Sequence, residues 1–313
     1  MFHVPCSMKL SLCIATFNEE SNIHYPLDSA YDFVDEVIIV DGGSTDKTVE
    51  KAKSYGPKVK IFVESNPAMF HINKQKAIER AKGEWILQLD ADESLSPGLK
   101  EEIRQLVKNS EFRVQNSESK KQEKKILDSQ FNSEFSIHNS KFVAFWISRK
   151  NWFLTRFLMK GGQYPDYTIR LYRNGTVRFP CKDVHENVEL IEGSKTDSVN
   201  ESSKKTESVY KIGYLKNPIL HYADPTFSRY LARWDRYTSL EADQLAQTFN
   251  VKRLTLNNTW LFIDYFFIKP KLTFLSMYFR HKGFLDGFPG FVFALFSSIR
   301  FWAIYIKWWQ KRK

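Results

Sequence analysis

Two aspartates separated by one small residue, Asp90 and Asp92, follow a short apolar stretch that begins at Trp85. A stretch of that length is typical of a buried strand, so both carboxylates are expected at a strand end. Carboxylate oxygens favour Mg²⁺ or Mn²⁺, and such a cation commonly bridges to a substrate phosphate. The pair predicts a metal site for a phosphorylated substrate, although an ordinary acidic turn is the more common structure for such a pair taken alone.

A second polar site is the glycine pair Gly42-Gly43, which follows an apolar stretch ending at Asp41 and precedes a helix. Glycines let the backbone approach a ligand closely, and a helix start offers N–H groups. Asp41 is a candidate to accept hydrogen bonds from a base or a ribose, and a capped turn is the alternative. The segment is neither G-x-G-x-x-G nor a lysine-bearing phosphate loop, which disfavours a dinucleotide dehydrogenase and a P-loop NTPase.

These residues belong to an alternation of strands and helices, in which the first strand runs into Thr16 and then Glu19. Such an alternation predicts an α/β fold with a parallel sheet and helices on both faces, where ligands bind beyond the carboxyl ends of the strands. Because three strands end in polar groups, we expect a nucleotide pocket with a metal. The predicted strands are 10–16, 36–40, 59–64 and 84–89, and the predicted helices are 19–33, 45–54, 72–82 and 99–107.

The remaining chain divides by composition. Residues 111–140 and 193–208 are rich in Ser, Lys, Asn and Glu and are expected to be solvated insertions, while 142–192 predicts mixed sheet. We predict a catalytic α/β domain over residues 8–225 and a helical region over residues 226–313.

The helical region carries most of the charge excess. The chain has 46 Lys and Arg against 36 Asp and Glu, a net charge of +10, and residues 227–313 hold 14 of the former and 5 of the latter. The same residues include 23 of the 48 aromatics. Cations mixed with bulky aromatics favour an anionic membrane surface over nucleic acid. The apolar stretch 288–306 contains Arg300, which favours a monotopic helix over a spanning one, with packing on the catalytic domain as the alternative.

Three segments together make the sequence recognisable: 14–20, 40–46 and 81–93. In order and spacing they resemble family-two glycosyltransferases of the GT-A fold. Downstream, residues 161–173, 184–186 and 283–287 resemble the branch that includes bacterial lipopolysaccharide-core β-1,4-glucosyltransferases. The resemblance implies an inverting transfer of a sugar, glucose first among the expectations, from a UDP-sugar onto a hydroxyl of a glycan or glycolipid acceptor in cell-envelope synthesis.

The resemblance also implies roles for individual residues. Thr16 and Glu19 line the nucleotide pocket, and Asp41 reads the base. Asp90 and Asp92 face the ribose and the metal-bound diphosphate, with Mg²⁺ or Mn²⁺ as the cation. Gly42 is a departure, because many relatives carry a second acidic residue there, so base recognition is predicted less firmly than the metal site.

An inverting displacement needs a base for the acceptor proton, a contribution of about 10²–10⁴-fold. The candidates are Glu186, which we favour, and Asp166, which follows a glycine pair. His185 is a further candidate, for metal or phosphate binding, and a packed histidine is its alternative. Arg170 and Arg173 could clamp the diphosphate, with exposed sheet arginines as the other interpretation.

A nucleotidyltransferase and a non-catalytic binding protein are the two alternative functions. A nucleotidyltransferase also uses paired aspartates, but it would normally show a basic glycine-rich loop, which residues 11–20 lack. A non-catalytic membrane-binding or nucleic-acid-binding protein would leave three polar strand ends unexplained. Three cysteines and an N-terminus without a secretion signal predict a cytoplasmic protein, peripheral or monotopic on the inner face of the cytoplasmic membrane.

Overall fold

The computed structural model describes residues 9–67, 69–115, 142–181, 187–191, 211–252 and 258–311. They form two compact units. The first contains the described residues up to Ser148 together with Tyr167–Leu220, and the second contains Arg149–Asp166 together with the described residues from His221 onward. The second unit thus includes residues 149–166, which lie before position 225 in the sequence. A domain boundary at 225 stays a prediction.

The first unit begins with four parallel strands in the order β3-β2-β1-β4. They are β1 (Leu10–Thr16), β2 (Glu36–Asp41), β3 (Val59–Val63) and β4 (Trp85–Gln88). The helices between and after them are α1 (His24–Ala30), α2 (Thr48–Lys53), α3 (His71–Arg80) and α4 (Pro97–Gln115), with the short strand β5 (Glu93–Leu95) before α4. The parallel α/β arrangement predicted for this part is confirmed.

Two helices are shorter than predicted. The helix expected from residue 45 begins at Thr48, because Asp46 accepts the backbone N–H of Thr48 at 3.0 Å and Asn18 accepts that of Thr45 at 2.8 Å. The helix expected from residue 19 begins at His24. Residues 19–23 form turns with backbone hydrogen bonds, such as that from the N–H of Asn22 to the carbonyl of Glu19 at 2.9 Å. Residues 45–47 are held instead by the side chains of Asn18 and Glu20.

The sheet continues beyond β4 with further strands: β6 (Phe142–Phe153), β7 (Arg156–Leu158), β8 (Asp166–Arg173), β11 (Lys211–Tyr214) and β12 (Ile219–Asp224). Two short strands, β9 (Val177–Arg178) and β10 (Glu189–Leu190), form a separate pair. The sheet becomes mixed at β8, which runs antiparallel to β4. The full order is β3-β2-β1-β4-β8-β6-β12-β5, with β7 and β11 pairing to β6.

Side-chain alternation along β1 fills a core on each face of the sheet. Leu12 and Ile14 pack on one face with residues of α1 such as Leu27, whereas Cys13 packs on the other face with Ile78 of α3. Since both faces are covered, β1 is a nearly continuous apolar run that ends in a polar residue.

The second unit is mainly helical. Its helices are α5 (Phe227–Lys252), α6 (Asn258–Ile263), α7 (Lys269–Phe274) and α8 (Gly287–Gln310), and π-helical turns Asp264–Ile268 and Leu275–Arg280 follow α6 and α7. Ile304 and Trp308 of α8 are buried with Ala242 of α5. Among the described residues, one helical segment, Gly283–Gln310, is long and apolar enough to cross a membrane, and about a third of its most apolar window is buried (33%).

Candidate active site

Three strand ends meet at one edge of the parallel sheet. Thr16 at the end of β1 pairs in register with Asp41 at the end of β2. On the other side of β1, the backbone N–H of Leu89 donates to the carbonyl of Cys13 at 3.1 Å, and Asp90 follows directly. The topology thus places Thr16, Asp41 and the Asp90-Ala-Asp92 turn along the same edge, where parallel sheets bind ligands.

Asp41 shapes the glycine turn that follows it. Its Oδ2 accepts the backbone N–H groups of Gly43 at 2.9 Å and Ser44 at 2.7 Å, and its Oδ1 accepts the Ser44 hydroxyl at 2.5 Å. The side chain is buried, and Gly43 adopts a positive φ of 81° that suits glycine. The contacts of Asp41 in the structure therefore hold the turn, and base recognition by this residue stays a prediction.

The loop after β1 is tied to the same turn. The backbone N–H of Asn18 donates to Ser44 Oγ at 2.8 Å, and that of Glu19 donates to Thr48 Oγ1 at 2.8 Å. The carboxylate of Glu19 accepts the amide of Asn22 at 2.5 Å and is half-buried. These hydrogen bonds fix the two loops relative to each other, so the protein's own groups organise this edge of the sheet.

Thr16 carries the clearest sign of an unmet partner. Its hydroxyl oxygen is buried and has no hydrogen-bond partner, and the same holds for Oδ1 of Asn73 near the start of α3. Buried polar atoms in folded proteins are nearly always paired, so a buried hydroxyl without a partner at a ligand-binding edge is a candidate ligand contact.

Asp90 lies in a buried network of charged groups. Lys74 Nζ lies 2.5 Å from its Oδ1, and Arg170 Nη2 lies 2.7 Å from its Oδ2. The same guanidinium nitrogen lies 2.9 Å from Oε1 of Glu93, whose Oε2 accepts the backbone N–H of Asp90 at 2.9 Å. Arg170 also donates to Gln88. Two cations thus fix the orientation of the Asp90 side chain, and Glu93 holds both its backbone N–H and one of those cations.

The network shifts the pKa values of its cations in opposite directions. Burial lowers the pKa of Lys74, and the opposing effect of Asp90 does not restore it. Burial acts in the same sense on Arg170, but there the carboxylates of Asp90 and Glu93 outweigh it, so the pKa of the guanidinium is raised above its usual range. Arg170 therefore stays charged, and its contacts are with protein carboxylates, while direct binding of a diphosphate by Arg170 stays a prediction.

Sequence reasoning missed two members of this network, Lys74 and Glu93. Glu93 lies three residues after Asp90, a spacing that could have indicated a turn closed by its carboxylate. Lys74 has no local signal, because it lies in α3 and its partner Asp90 lies in the turn after β4.

Mg²⁺ and Mn²⁺ prefer oxygen ligands, and Asp90 and Asp92 supply two carboxylates at this edge of the sheet. Within the described ranges, no three His, Cys, Asp or Glu side chains are grouped as metal ligands. The oxygens of Asp90 contact Lys74 and Arg170, and the side chain of Asp92, two residues later, is half-buried. Mg²⁺ is commonly held by one or two carboxylates together with substrate phosphates. Asp90 and Asp92 therefore fit the donor chemistry of such a site, and metal binding by them stays a prediction.

Asp166 lies in the second unit with partners of its own. Arg149 donates to its Oδ2 from Nε at 3.0 Å and from Nη2 at 2.7 Å, and Asn151 donates to the same oxygen at 3.2 Å. Asn151 is in turn 2.7 Å from Nδ1 of His221. The carboxylate is partly exposed and held in one orientation. The other base candidate, Glu186, and its neighbour His185 lie outside the described residues.

Comparisons with known proteins find glycosyltransferases. An uncharacterized glycosyltransferase of Rickettsia typhi is 27% identical over 299 residues, covering 94% of this chain and 84% of the relative. The lipopolysaccharide core biosynthesis glycosyltransferase LpsC of Rhizobium meliloti is 24% identical over 301 residues, covering 93% and 88%. A crystal structure of S. aureus TarS 1-349 in complex with UDP-GlcNAc covers 97% of this chain and 92% of TarS at 16% identity, with a TM-score of 0.41.

The family assignment rests on the sequence model for glycosyl transferase family 2, which matches residues 11–167, half of the chain. The matched region contains β1 to β4, the glycine turn and the Asp90-Ala-Asp92 turn. The mixed sheet flanked by helices is the GT-A fold expected from the sequence. The chain is therefore a member of glycosyl transferase family 2.

Proposed function

We propose that the protein is an inverting glycosyltransferase that moves a sugar from a UDP-sugar, glucose first, onto a hydroxyl of the lipopolysaccharide core. The observation that carries the donor side is the edge shared by Thr16, Asp41 and Asp90, where the buried Thr16 hydroxyl has no partner. The relative LpsC, named for lipopolysaccharide core biosynthesis, supports the acceptor class.

On the donor side, the cross-linked loops after β1 and β2 would enclose the nucleotide. Thr16 would donate to or accept from it, and Asp90, held by Lys74 and Arg170, would face the ribose. Asp92 would hold Mg²⁺ or Mn²⁺, and such a cation, when bound, neutralises charge on the departing diphosphate. A site whose protein groups are already oriented loses little freedom when the donor binds.

On the acceptor side, a carboxylate must remove the proton of the attacking hydroxyl. Glu186 and Asp166 remain the two candidates. The hydrogen bonds from Arg149 and Asn151 all reach Oδ2 of Asp166, which fixes the direction of the carboxylate. Such orientation supports Asp166 as a candidate base or as an acceptor-binding group.

Exposed side chains of the second unit support binding of the protein to a membrane surface. Large apolar side chains on and beside its helices are exposed, with Phe288 at 72% and Phe267 at 61%. Cations such as Lys269 and Arg280 lie on neighbouring helical segments of the same unit. Exposed aromatics beside cations suit the headgroup region of an anionic leaflet. We propose that the protein binds the inner face of the cytoplasmic membrane, where a glycolipid acceptor would be presented.

A donor and acceptor screen tests the proposal. The purified protein is incubated with single UDP-sugars, Mn²⁺ and lipopolysaccharide-core oligosaccharide, and UDP release and product mass are measured. We expect a mass gain of one hexose with UDP-glucose and a β-linked product by NMR, because inversion converts the α-linked donor. Absence of UDP release with every UDP-sugar would exclude this function. An α-linked product would exclude inversion.

A further inference from the structure

Asp286 is a buried residue of the second unit whose carboxylate accepts hydrogen bonds from a segment that is distant in the sequence. Its Oδ2 accepts the backbone N–H of Met159 at 2.9 Å and that of Lys160 at 2.7 Å. Its Oδ1 lies 3.7 Å from Nη2 of Arg156, and the side chain is only 2% exposed. A buried charge is retained where it is paired and hydrogen-bonded, and here all of these partners come from residues 156–160.

The position of Asp286 makes these contacts informative. It is the N-cap residue of α8, where an aspartate usually accepts an N–H of its own helix, yet its side chain makes no capping hydrogen bond. Local helix capping therefore does not account for an aspartate here. The hydrogen bonds that its carboxylate accepts come from Met159 and Lys160, 127 and 126 residues earlier in the chain.

Contacts at glycines near Asp286 also join residues 281–283 to Gly161. The backbone N–H of Gly161 donates to the carbonyl of His281 at 2.9 Å. A Cβ on Gly161 would lie 3.7 Å from Cα of Gly283, and a Cβ on Gly290 would collide with the carbonyl oxygen of Gly283. The segment around Gly283 is thus in van der Waals contact with Gly161, and Gly290 leaves room for the carbonyl of Gly283.

The supported segment leads directly to Asp166. Gly161 and Gly162 have positive φ angles of 66° and 76°, and four residues later the chain enters β8 at Asp166. We infer that Asp286 is a positioning residue for the transfer reaction: it fixes the Met159–Gly162 segment and thereby presents Asp166 to the acceptor. This inference rests on the proposed function, in which Asp166 lies on the acceptor side.

Asp286→Asn tests the inference in the full-length protein. The amide keeps the shape but removes the charge, which weakens the hydrogen bonds from Met159 and Lys160. We expect amide hydrogen exchange to rise at least about tenfold in peptides covering residues 157–165. We also expect kcat/KM for the core-oligosaccharide acceptor to fall about 10- to 100-fold, since small displacements of positioned groups have effects of that size. The dissociation constant for UDP should stay within about twofold of the wild-type value, because the predicted donor residues lie in the first unit.

Two further variants separate positioning from general damage. Asp243→Asn removes an exposed carboxylate that pairs with Lys311 in the same unit, and it should leave exchange and transfer at wild-type values. Gly161→Ala strains a backbone with positive φ in the supported segment, and it should reproduce the acceptor defect while Asp286 is intact.

Three results would overturn the inference that Asp286 positions Asp166. Unchanged exchange over residues 157–165 in Asp286→Asn, or acceptor kcat/KM equal to wild type, overturns it. A parallel loss of UDP binding and acceptor use also overturns it, because that pattern indicates global damage. If the wild-type protein gives no product with any UDP-sugar and core oligosaccharide, the proposed function has failed instead, and the exchange measurement alone still decides whether Asp286 holds the segment.

Discussion

Arg170 Nη2 lies 2.7 Å from Oδ2 of Asp90, although 80 residues separate the two in the chain. Both groups belong to a network that also contains Glu93 and Lys74, and Arg170 is only 5% exposed. The contact joins strand β8 to the turn after β4, since these strands are antiparallel neighbours. The orientation of Asp90 is therefore set by a residue from outside the parallel part of the sheet.

Arg170→Lys should impair both stability and activity. A lysine ammonium cannot reach Asp90 and Glu93 with the fixed fork of a guanidinium, so one buried carboxylate loses a partner. We expect a loss of about 1–3 kcal/mol in unfolding free energy by urea denaturation, and a 10- to 100-fold fall in kcat/KM for the UDP-sugar. Arg178→Lys is the control, because its pair with Glu189 is exposed and contributes about 0–1 kcal/mol. Equal behaviour of the two variants would contradict the positioning of Asp90 by Arg170.

Asp92→Asn should abolish transfer and leave the fold unchanged, because the carboxylate is half-buried and is a predicted ligand of the cation. Treatment of the wild-type protein with a chelator should have the same effect, and Mn²⁺ or Mg²⁺ should restore activity. Transfer rates and circular dichroism spectra check both statements. Asp32→Asn, which alters an exposed carboxylate paired with Lys100, should behave like wild type. Full activity in the presence of the chelator would remove the metal from the mechanism.

Glu186→Gln and Asp166→Asn, compared side by side, should identify the base. The variant that lacks the base should lose about 10²–10⁴-fold in kcat while its UDP affinity is unchanged. Loss of the other carboxylate should raise KM for the acceptor with a smaller effect on kcat. Steady-state kinetics with core oligosaccharide distinguish the two patterns. Wild-type kcat in both variants would show that another group accepts the proton.

Glu36→Gln should change the acid limb of the stability curve. Burial alone would raise the pKa of Glu36, but hydrogen bonds from Lys60, the backbone N–H of Lys82 and the hydroxyl of Ser11 lower it below its usual value. The folded-state pKa lies below the unfolded one, so the stabilisation is complete above the unfolded pKa of about 4.3 and is lost as the pH falls through the folded value. Acid titration followed by circular dichroism should show a flatter decline below pH 5 in the variant. Glu79→Gln, at an exposed site, should keep the wild-type curve.

Phe267→Ser and Phe288→Ser should weaken membrane binding. Each side chain is largely exposed, and burial of a phenylalanine contributes about 1.5–3 kcal/mol, so each variant should lose about tenfold or more in vesicle affinity. Co-sedimentation with vesicles containing phosphatidylglycerol measures this. Val63→Ser, at an exposed apolar position of the first unit, is the control. Release of the wild-type protein by high salt would support peripheral binding, whereas a requirement for detergent would support insertion.

Local patterns were sufficient to predict the parallel strands. Residues 37–40 are all apolar and β-branched, and β2, which was predicted over 36–40, spans Glu36–Asp41. The helix start at residue 45 was wrong, because the hydrogen bond from the Thr45 N–H to Asn18 joins two loops 27 residues apart. Pairing between loops has no periodic signal, so a reading based on periodicity and capping residues could not detect it.

The residues of the candidate site that follow strand ends could be predicted from the sequence. Contacts between residues far apart in the chain could not. Thr16, Asp41 and Asp90 follow apolar runs, and the parallel topology places them on one edge. Arg170 was expected to contact the donor, but its position next to Asp90 follows from the antiparallel pairing of β8 with β4. Lys74 reaches Asp90 from a helix whose rotation is set by packing, which a single sequence does not reveal.

Cys13 lies at the centre of β1 with its side chain fully buried, three residues before Thr16. Burial raises the pKa of its thiol, and the nearby charge of Glu36 adds to the effect. Oxidants and alkylating reagents attack the thiolate, so this sulfur is inert at neutral pH while the chain is folded. The strand that leads to the ligand edge is thereby protected from oxidative damage, and reaction of Cys13 with a thiol reagent would report unfolding of the sheet.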